Sequence, residues 1–430
     1  MGIAEPQNQA IDLPRRARAW GAWLAAALLL GLFVWQTALP ASQQKSYAFS
    51  VYYTAARLTL QGQAGVQFCS TWLFEQQRAL GFGQWADYFC PNPPTTALLL
   101  APVAWLPPPL AQAAWVLGDL LMIAAIVGLG WLMLGAAPGL ARPPAAWYAL
   151  LAAGLIAALR PLHADLHAVQ VYTLLALLYA LWLYGYSSGR SWLCGAALAA
   201  LALAKLAGWP LWLLLLALRR WRALAWALGL GGAAWLATLP LFGLAFWRLY
   251  LLGQAPALAS DPLYAAPAFQ TLTSLLKQCF LYDPRWSPRP LLDAPWLASG
   301  LWWVLAALLL APTLARARRM PPAAAGPALA LLCLVVPLQP AGEEYHYALL
   351  LIVLLLVLGT AAVRRPGWPA GLAIGLALLL LALPAYFVDT PRWQGWPWAL
   401  LAYPRMDGAL LLWGVVLFGG DAARDGVVQP

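Results

Sequence analysis

Leu349–Leu350–Leu351–Ile352–Val353–Leu354–Leu355–Leu356–Val357–Leu358 is a run of ten apolar side chains with no polar residue at any register. A half-buried strand alternates apolar and polar residues with period two, and a transmembrane barrel strand does the same. This run does neither, so it reads as part of a helix that is apolar on every face. Similar runs near 20 residues, the length that crosses a bilayer, recur along the chain. Across all 430 residues, 63% are A, V, I, L, M, F, W, Y or C and only 9% are charged. A soluble domain carries about 45–50% apolar and about 25% charged residues, so a water-soluble globule and a disordered chain are both excluded. The fold class expected is all-α: a single integral-membrane domain over 1–430, built as a polytopic transmembrane helical bundle.

The formal net charge is +10, but the 25 basic residues form no nucleic-acid-binding stripe. They gather in short clusters between apolar runs: Arg15–Arg16–Arg18, Arg219–Arg220–Arg222, Arg316–Arg318–Arg319 and Arg364–Arg365. Basic residues accumulate in short cytoplasmic loops, so the clusters mark the inside, and no nucleic-acid partner is expected. The apolar stretch 19–39 is too long for a signal-peptide core of about 7–15 residues and reads as an uncleaved first helix with a cytoplasmic N-terminus.

Counting outward from it gives about twelve spans, at 19–39, 109–134, 144–160, 169–186, 191–206, 208–218, 223–246, 294–314, 322–338, 347–363, 367–388 and 408–420. Two long external segments, 40–93 and 247–293, interrupt them. The run 94–106 ends at Pro107 and is read as re-entrant or interfacial. Trp393, Trp396 and Trp398 fit an aromatic belt. The cysteines lack CxxC spacing, which argues against a zinc ribbon. Cys69 and Cys90 share one loop and pair if it faces an oxidising compartment; unpaired structural thiols are the other reading.

This topology sorts the polar residues by side. His163, His167 and His346 fall outside, as do most carboxylates, including Asp87, Asp165, Asp261, Glu343, Glu344 and Asp389. A chain that only spans a membrane has no need for every imidazole at one surface, so chemistry or ligand binding is expected there. Within the first external segment, 40–93, the apolar spacing from Ser50 to Leu60 suits an interfacial amphipathic helix. Tyr52 and Tyr53 on it suit the flat faces of a sugar or lipid.

His163 and His167 are four apart and share a helical face. No third ligand stands at a recognised spacing, so a polar rim over a cavity is preferred to a metal site. Asp165 between them is a candidate general base, as is Asp87. Lys277, Arg285 and Lys205 are candidate phosphate partners. Gln339 to Tyr347 holds Glu343, Glu344, Tyr345 and His346 at a helix mouth, the densest polar cluster in the chain. Asp119 is a charge at mid-helix, costly by roughly 2.5–3.5 kcal/mol on insertion scales, and is the feature that favours a secondary transporter.

The order of these features resembles the integral-membrane glycosyltransferases of the GT-C fold, and most closely glycosyltransferase family 87, whose members use polyprenol-phosphate-mannose. The resemblance runs from about Tyr47 to Leu358: Phe49 to Gly62, Tyr88 to Pro94, Gln170 with Leu174–Leu175, Gly189 to Gly195, Lys205 to Pro210, Gln270–Thr271–Leu272 with Lys277, and Pro340 to His346. It departs where the family places a catalytic aspartate, here Ala48. Val169 replaces the glycine before Gln170, Tyr172 replaces an asparagine, and Glu343 replaces a tryptophan.

The resemblance implies an inverting transfer from a polyprenyl-phosphate sugar to a lipid- or glycan-linked hydroxyl, at the periplasmic face of a bacterial inner membrane. No cofactor is expected beyond the lipid-linked donor, and a divalent metal stays open. Asp87, Asp165 and His346 are then the catalytic candidates. Tyr52, Tyr53, Gln170, Gln270, Glu343, Glu344 and Tyr345 are the substrate-binding candidates, with membrane lipids as surrounding partners. A catalytically inactive envelope-assembly scaffold is the third reading, kept open by Ala48.

Overall fold

The computed structural model describes residues 13–90, 92–384 and 395–419; Asp389 and Trp393 lie outside them. Among the described residues every regular element is helical. The first helix, α1 (Leu13–Phe33), continues through one π-helical turn to Gln43. The first external segment then folds into α2 (Tyr47–Leu60) and α3 (Thr71–Ala79). Ser46 starts α2 by accepting the Phe49 amide at 3.5 Å and donating its hydroxyl to the Ala168 carbonyl. It therefore acts both as a local N-cap and as a tie to a distant helix.

Five helical stretches are long and apolar enough to cross a membrane: Arg16–Gln43, Pro108–Ala136, Trp221–Leu258, Pro295–Arg319 and Glu344–Arg364. They contain α1, α4 (Pro108–Ala136), α10 (Trp221–Leu249), α12 (Pro295–Arg319) and α14 (Leu350–Arg364). A sixth is added if α5 (Ala145–Ala158) and α6 (Arg160–Ala168), bent 59° apart, form one broken span. The Glu344–Arg364 stretch, which contains the run quoted at the outset, has 61% of its most apolar window buried, against 17–33% for the other four. It is the central post of the bundle, and the others turn most of their apolar surface outward, as lipid-facing helices do.

Shorter helices overlap the other stretches read as spans, and none is long and apolar enough to be counted with the long ones: α7 (Tyr172–Ser187), α8 (Ser191–Lys205), α9 (Trp209–Ala217), α13 (Ala325–Leu334), α15 (Trp368–Ala382) and α16 (Pro404–Phe418). At 1.5 Å per residue, the nine residues of α9 fall well short of the hydrocarbon thickness. The 94–106 run contributes a 3-10 turn, Pro94–Leu98, followed by turns and no α-helix. Its Thr95 and Thr96 hydroxyls donate to the Leu203 and Ala204 carbonyls at 2.5 Å each, tying it to the end of α8.

Helix α2 differs from the interfacial helix read from its spacing. Phe49, Tyr53, Ala55 and Ala56 are fully buried, as are the hydroxyl-bearing Ser50 and Thr54. It is a plug inside the protein, because α3, the 3-10 turn after Pro93 and α4 cover the face that the pattern left polar. The second external segment carries α11 (Leu272–Phe280), which Thr271 caps by accepting the Ser274 amide at 3.2 Å.

Candidate functional site

A cavity of about 500 Å³ opens between the first external segment, the ends of α7 and α8, and the Gln339–His346 seam. Four elements bring its polar groups together. On α2, Tyr52 donates its hydroxyl to Gln170 Oε1 at 2.9 Å and accepts from Lys205 Nζ at 2.7 Å. Lys205, the last residue of α8, also donates to Asn92 Oδ1 and lies over the Tyr52 and Tyr172 rings at 5.0 and 5.3 Å. A cation so placed is held by neutral oxygens and ring faces, and no carboxylate is within ion-pair distance among the described residues. An anionic ligand at this position would favour the charged ammonium and take its free donor.

Gln170 enters the cavity from an unusual backbone position. Val169 before it has φ 49° and ψ 50°, the left-handed region, which is costly for a β-branched residue. The strain is carried in a buried side chain one residue from the cavity.

The seam supplies the opposite wall. His346 Nδ1 accepts the Glu343 amide at 3.0 Å, so the neutral ring carries its proton on Nε2. The ring packs on Tyr172 with centroids 3.9 Å apart and on Tyr345 at 4.8 Å. Glu343 Oε1 accepts the Tyr345 hydroxyl at 2.7 Å. Gly342 fixes the seam's approach: its carbonyl accepts the Gln270 amide at 2.8 Å, and a Cβ there would sit 2.8 Å from Val336 Cγ1.

Asp87 reaches the cavity from the first external segment. Gln77, fully buried on α3, brackets its backbone: the Asp87 amide donates to Gln77 Oε1 at 3.0 Å, and Gln77 Nε2 donates to the Asp87 carbonyl at 2.8 Å. The Tyr88 amide donates to Asp87 Oδ1 at 2.7 Å, leaving Oδ2 for a ligand. A Cys69–Cys90 disulfide, Cα–Cα 5.2 Å, closes the same segment, so the open question about these thiols resolves as a pair.

Burial raises the Asp87 carboxyl above its ordinary value, partly offset by the Tyr88 amide. Burial also raises Glu343, with the Tyr345 hydroxyl and the Lys205 cation pulling it down and the Asp87 charge pushing it up. The Tyr52 phenol is raised by burial and by the charges of Asp165, Asp87 and Glu343. It therefore stays a neutral donor.

Among the candidates read from sequence, Tyr52, Asp87, Gln170, Lys205, Glu343, Tyr345 and His346 line this cavity and the rest do not. Asp165 is fully buried in α6. Its Oδ1 accepts the Tyr172 amide at 3.1 Å, and its Oδ2 accepts the Thr173 amide at 2.8 Å and the Thr173 hydroxyl at 2.5 Å. It satisfies the orphan amides at the start of α7, across a chain reversal that local spacing does not reveal. Tyr53 donates to the Leu106 carbonyl at 2.7 Å inside the core. Gln270 ties the second external segment to the start of α16 through the Ala402 carbonyl and the Arg405 amide.

Glu344 turns away from Glu343 and pairs with Arg405, whose Nε lies 3.0 Å from Glu344 Oε1. Lys277 donates to the Asp261 carbonyl at 2.8 Å beside the Tyr264 ring. Arg285 is exposed, stacked 4.4 Å from Trp286. His163 bonds Thr37 Oγ1 at 2.7 Å and the Ala157 carbonyl at 3.0 Å. Among the described residues no three His, Cys, Asp or Glu side chains converge as a metal site. Asp119 is fully buried, and neither carboxyl oxygen has a hydrogen-bond partner.

Two contributors carried no assignment from sequence. Asn92 falls within the Tyr88-to-Pro94 segment, and its role depends on the fold bringing it to Lys205, 113 residues away. Tyr172 registered only as a departure from an asparagine.

A family model, glycosyltransferase family 87, matches residues 89–337, more than half of the chain. The chain belongs to glycosyltransferase family 87. It is therefore a membrane glycosyltransferase. No curated protein and no solved structure matches it. The matched segment contains Asn92, Gln170 and Lys205, whereas Ala48, Tyr52, Asp87 and the Glu343–His346 wall lie outside it. The Ala48 side chain lines the same cavity as Asp87. This chain has Ala48 where the resemblance implies an acid, and a carboxylate from further along the same loop, Asp87, lines the same cavity.

The role of Asp165 gives a direct expectation. Asp165→Asn turns an amide NH₂ toward donors and leaves at least one buried amide unpaired, at a cost of about 1–3 kcal/mol. The unfolding midpoint in detergent should fall, while turnover per folded molecule survives. A loss of turnover with an unchanged midpoint would contradict the capping role.

Proposed function

We propose that this family 87 member moves a sugar from a polyprenyl phosphate to a lipid- or glycan-linked hydroxyl, at the periplasmic face of a bacterial inner membrane. The observation that carries the reading is the convergence of a half-buried lysine and a separate, partly free carboxylate on one cavity. Lys205, with Tyr52 and Asn92, would bind the donor phosphate, and the Nε2–H of His346 would donate to the donor or acceptor. Asp87 would be the general base. The paired cysteines support an oxidising side for the loop that carries Asp87. The full arrangement proposed is the GT-C-like bundle of about twelve spans, with shorter and broken helices supplementing the long ones.

The chemistry balances without a cofactor. The acceptor oxygen attacks the anomeric carbon, and its proton passes to the Asp87 carboxylate. The bond from that carbon to the phosphate oxygen breaks, and its electron pair leaves on the polyprenyl phosphate. Lys205 stabilises the charge that grows there, so the leaving group requires no proton. Attack opposite the leaving phosphate inverts the anomeric configuration.

The test is a panel of polyprenyl-phosphate sugars offered to purified protein in proteoliposomes, reading released polyprenyl phosphate. Release with one donor supports the reading; no release with any donor, with and without membrane-lipid acceptors, contradicts it.

A base must be ionised to act. Because burial raises the Asp87 carboxyl, kcat/KM should fall on acidification at a pH above the ordinary carboxylate range of about 4. Ionisation of Asp87 is then complete above that limb and lost below it. The residual rate of Asp87→Asn should lack the limb. An acid limb unchanged in that variant would assign it to another group.

A further inference from the structure

Asp87 lies in a stretch, Ala86 to Phe89, that belongs to no helix. Among the described residues no backbone–backbone hydrogen bond reaches residues 86–88. The Asp87 backbone is held instead by one side chain: its amide donates to Gln77 Oε1 at 3.0 Å, and Gln77 Nε2 donates to its carbonyl at 2.8 Å. Gln77 is fully buried on α3, so water does not compete for either bond. A primary amide offers a donor and an acceptor side by side. A carboxylate in its place would lack the donor, and an apolar side chain would lack both.

Gln77 is itself fixed from α2. The fully buried Ser50 hydroxyl donates to Gln77 Oε1 at 2.7 Å. Tyr52, two residues on, points from another side of the same helix, as residues at i and i+2 do, and accepts from Lys205 Nζ at 2.7 Å. One helix therefore holds both ends of the proposed reaction. It reaches the cation for the leaving phosphate through Tyr52, and the base through Ser50 and Gln77. The Phe49, Tyr53, Ala55 and Ala56 side chains of that helix are fully buried, so both attachments start from a close-packed frame.

We propose that Gln77 is a positioning residue for the transfer: with Ser50, it sets the distance between the Asp87 carboxylate and a phosphate held at Lys205. The inference rests on the reading of Asp87 as base and Lys205 as phosphate partner. A general base must stand within about 2.6–3.2 Å of the hydroxyl it deprotonates. Misplacement by about 1 Å through a distant substitution costs on the order of a hundredfold. A loop without ladder bonds does not hold that tolerance by itself. Gln77 supplies it without lining the cavity, and the Tyr88 amide, bonded to Asp87 Oδ1 at 2.7 Å, passes the backbone's placement to the carboxylate.

The experiment measures release of polyprenyl phosphate by the full chain in proteoliposomes, across the panel of polyprenyl-phosphate sugars, with polyprenyl phosphate binding in parallel. Gln77→Met keeps the length of the side chain and removes its bonds to Asp87. Its kcat is expected to fall about ten- to a hundredfold, with polyprenyl phosphate affinity unchanged. Ser50→Ala removes only the bond that fixes Gln77, and should lower kcat about two- to tenfold. In an Asp87→Asn background neither substitution should lower the residual rate further, because each acts through the Asp87 carboxylate.

Wild-type kcat in Gln77→Met, or the same fold-loss in the Asp87→Asn background, would overturn the proposal. A parallel loss of polyprenyl phosphate binding would overturn it too, since it marks a general disturbance of the fold. Should Gln77→Met fail to fold, Ser50→Ala decides by the same comparisons. Near-normal turnover in Asp87→Asn would instead sink the base reading, and no release by the wild type from any donor would sink the donor reading; either result takes this proposal with it.

Discussion

Asp87→Asn is expected to lower turnover by about two to four orders of magnitude, the usual contribution of a positioned general base, while the protein still inserts and folds. The expectation of intact folding follows from what holds the residue. Its backbone is bracketed by Gln77, itself fixed by the Ser50 hydroxyl at 2.7 Å, and its chain segment is closed by the Cys69–Cys90 bridge. The side chain contributes one acceptor, Oδ1, to the Tyr88 amide, and an asparagine oxygen can replace it. The substitution therefore removes basicity and leaves the architecture. Measured as release of polyprenyl phosphate, near-normal turnover in this variant would remove Asp87 from the mechanism and leave Glu343 as the cavity's other carboxylate.

Lys205→Met should be nearly as damaging, by about two to three orders of magnitude, the scale seen when one preorganised group facing developing charge is deleted. The methionine keeps the length and apolar stem of the side chain, so the loss is confined to the cation and its donors. Two neutral groups, Tyr52 and Asn92, hold the ammonium from the protein side. Affinity for polyprenyl phosphate should fall along with turnover. The comparison is with Lys277→Met, in the second external segment and outside the cavity lining, which should leave both near the wild-type values. The reverse ranking of these two lysines would contradict the assignment of the phosphate site.

That ranking was not legible in the sequence, and the reason is physical. Lys205, Lys277 and Arg285 are all cations at expected external ends, and hydropathy treats them alike. Only the packing of the first external segment against α8 places Asn92 and Tyr52 on Lys205. The run Glu343–Glu344 likewise conceals that Glu343 lines the Lys205 cavity and Glu344 does not. Glu343 is in extended conformation, φ −78° and ψ 176°, directly before a 3-10 turn, so adjacent side chains diverge as they do along a strand. Asp165 read as a base because its segment was expected to flank the cavity, whereas its oxygens cap a helix beyond the next reversal.

What was legible rests on scarcity. In so apolar a chain the few polar groups outside the apolar runs must be satisfied or used, and Tyr52, Asp87, Gln170, Lys205, Glu343, Tyr345 and His346 do meet in one cavity. The long spans were readable for the same reason, since ten uninterrupted apolar residues leave no alternative to burial in protein or lipid. The short helices were less so: α9 and α13 are as apolar as the long ones, and their ends are set by Gly208 and by the turns around Pro321.

The central claim is that the donor phosphate and the base meet in the cavity behind the first external loop. A cryo-electron-microscopy structure of the protein in nanodiscs with polyprenyl phosphate tests it most directly. The account predicts phosphate density within hydrogen-bonding reach of Lys205 Nζ and the Tyr52 hydroxyl, with the Asp87 carboxylate facing the same space. Phosphate density at Lys277 or Arg285, with the Lys205 cavity empty, would contradict it.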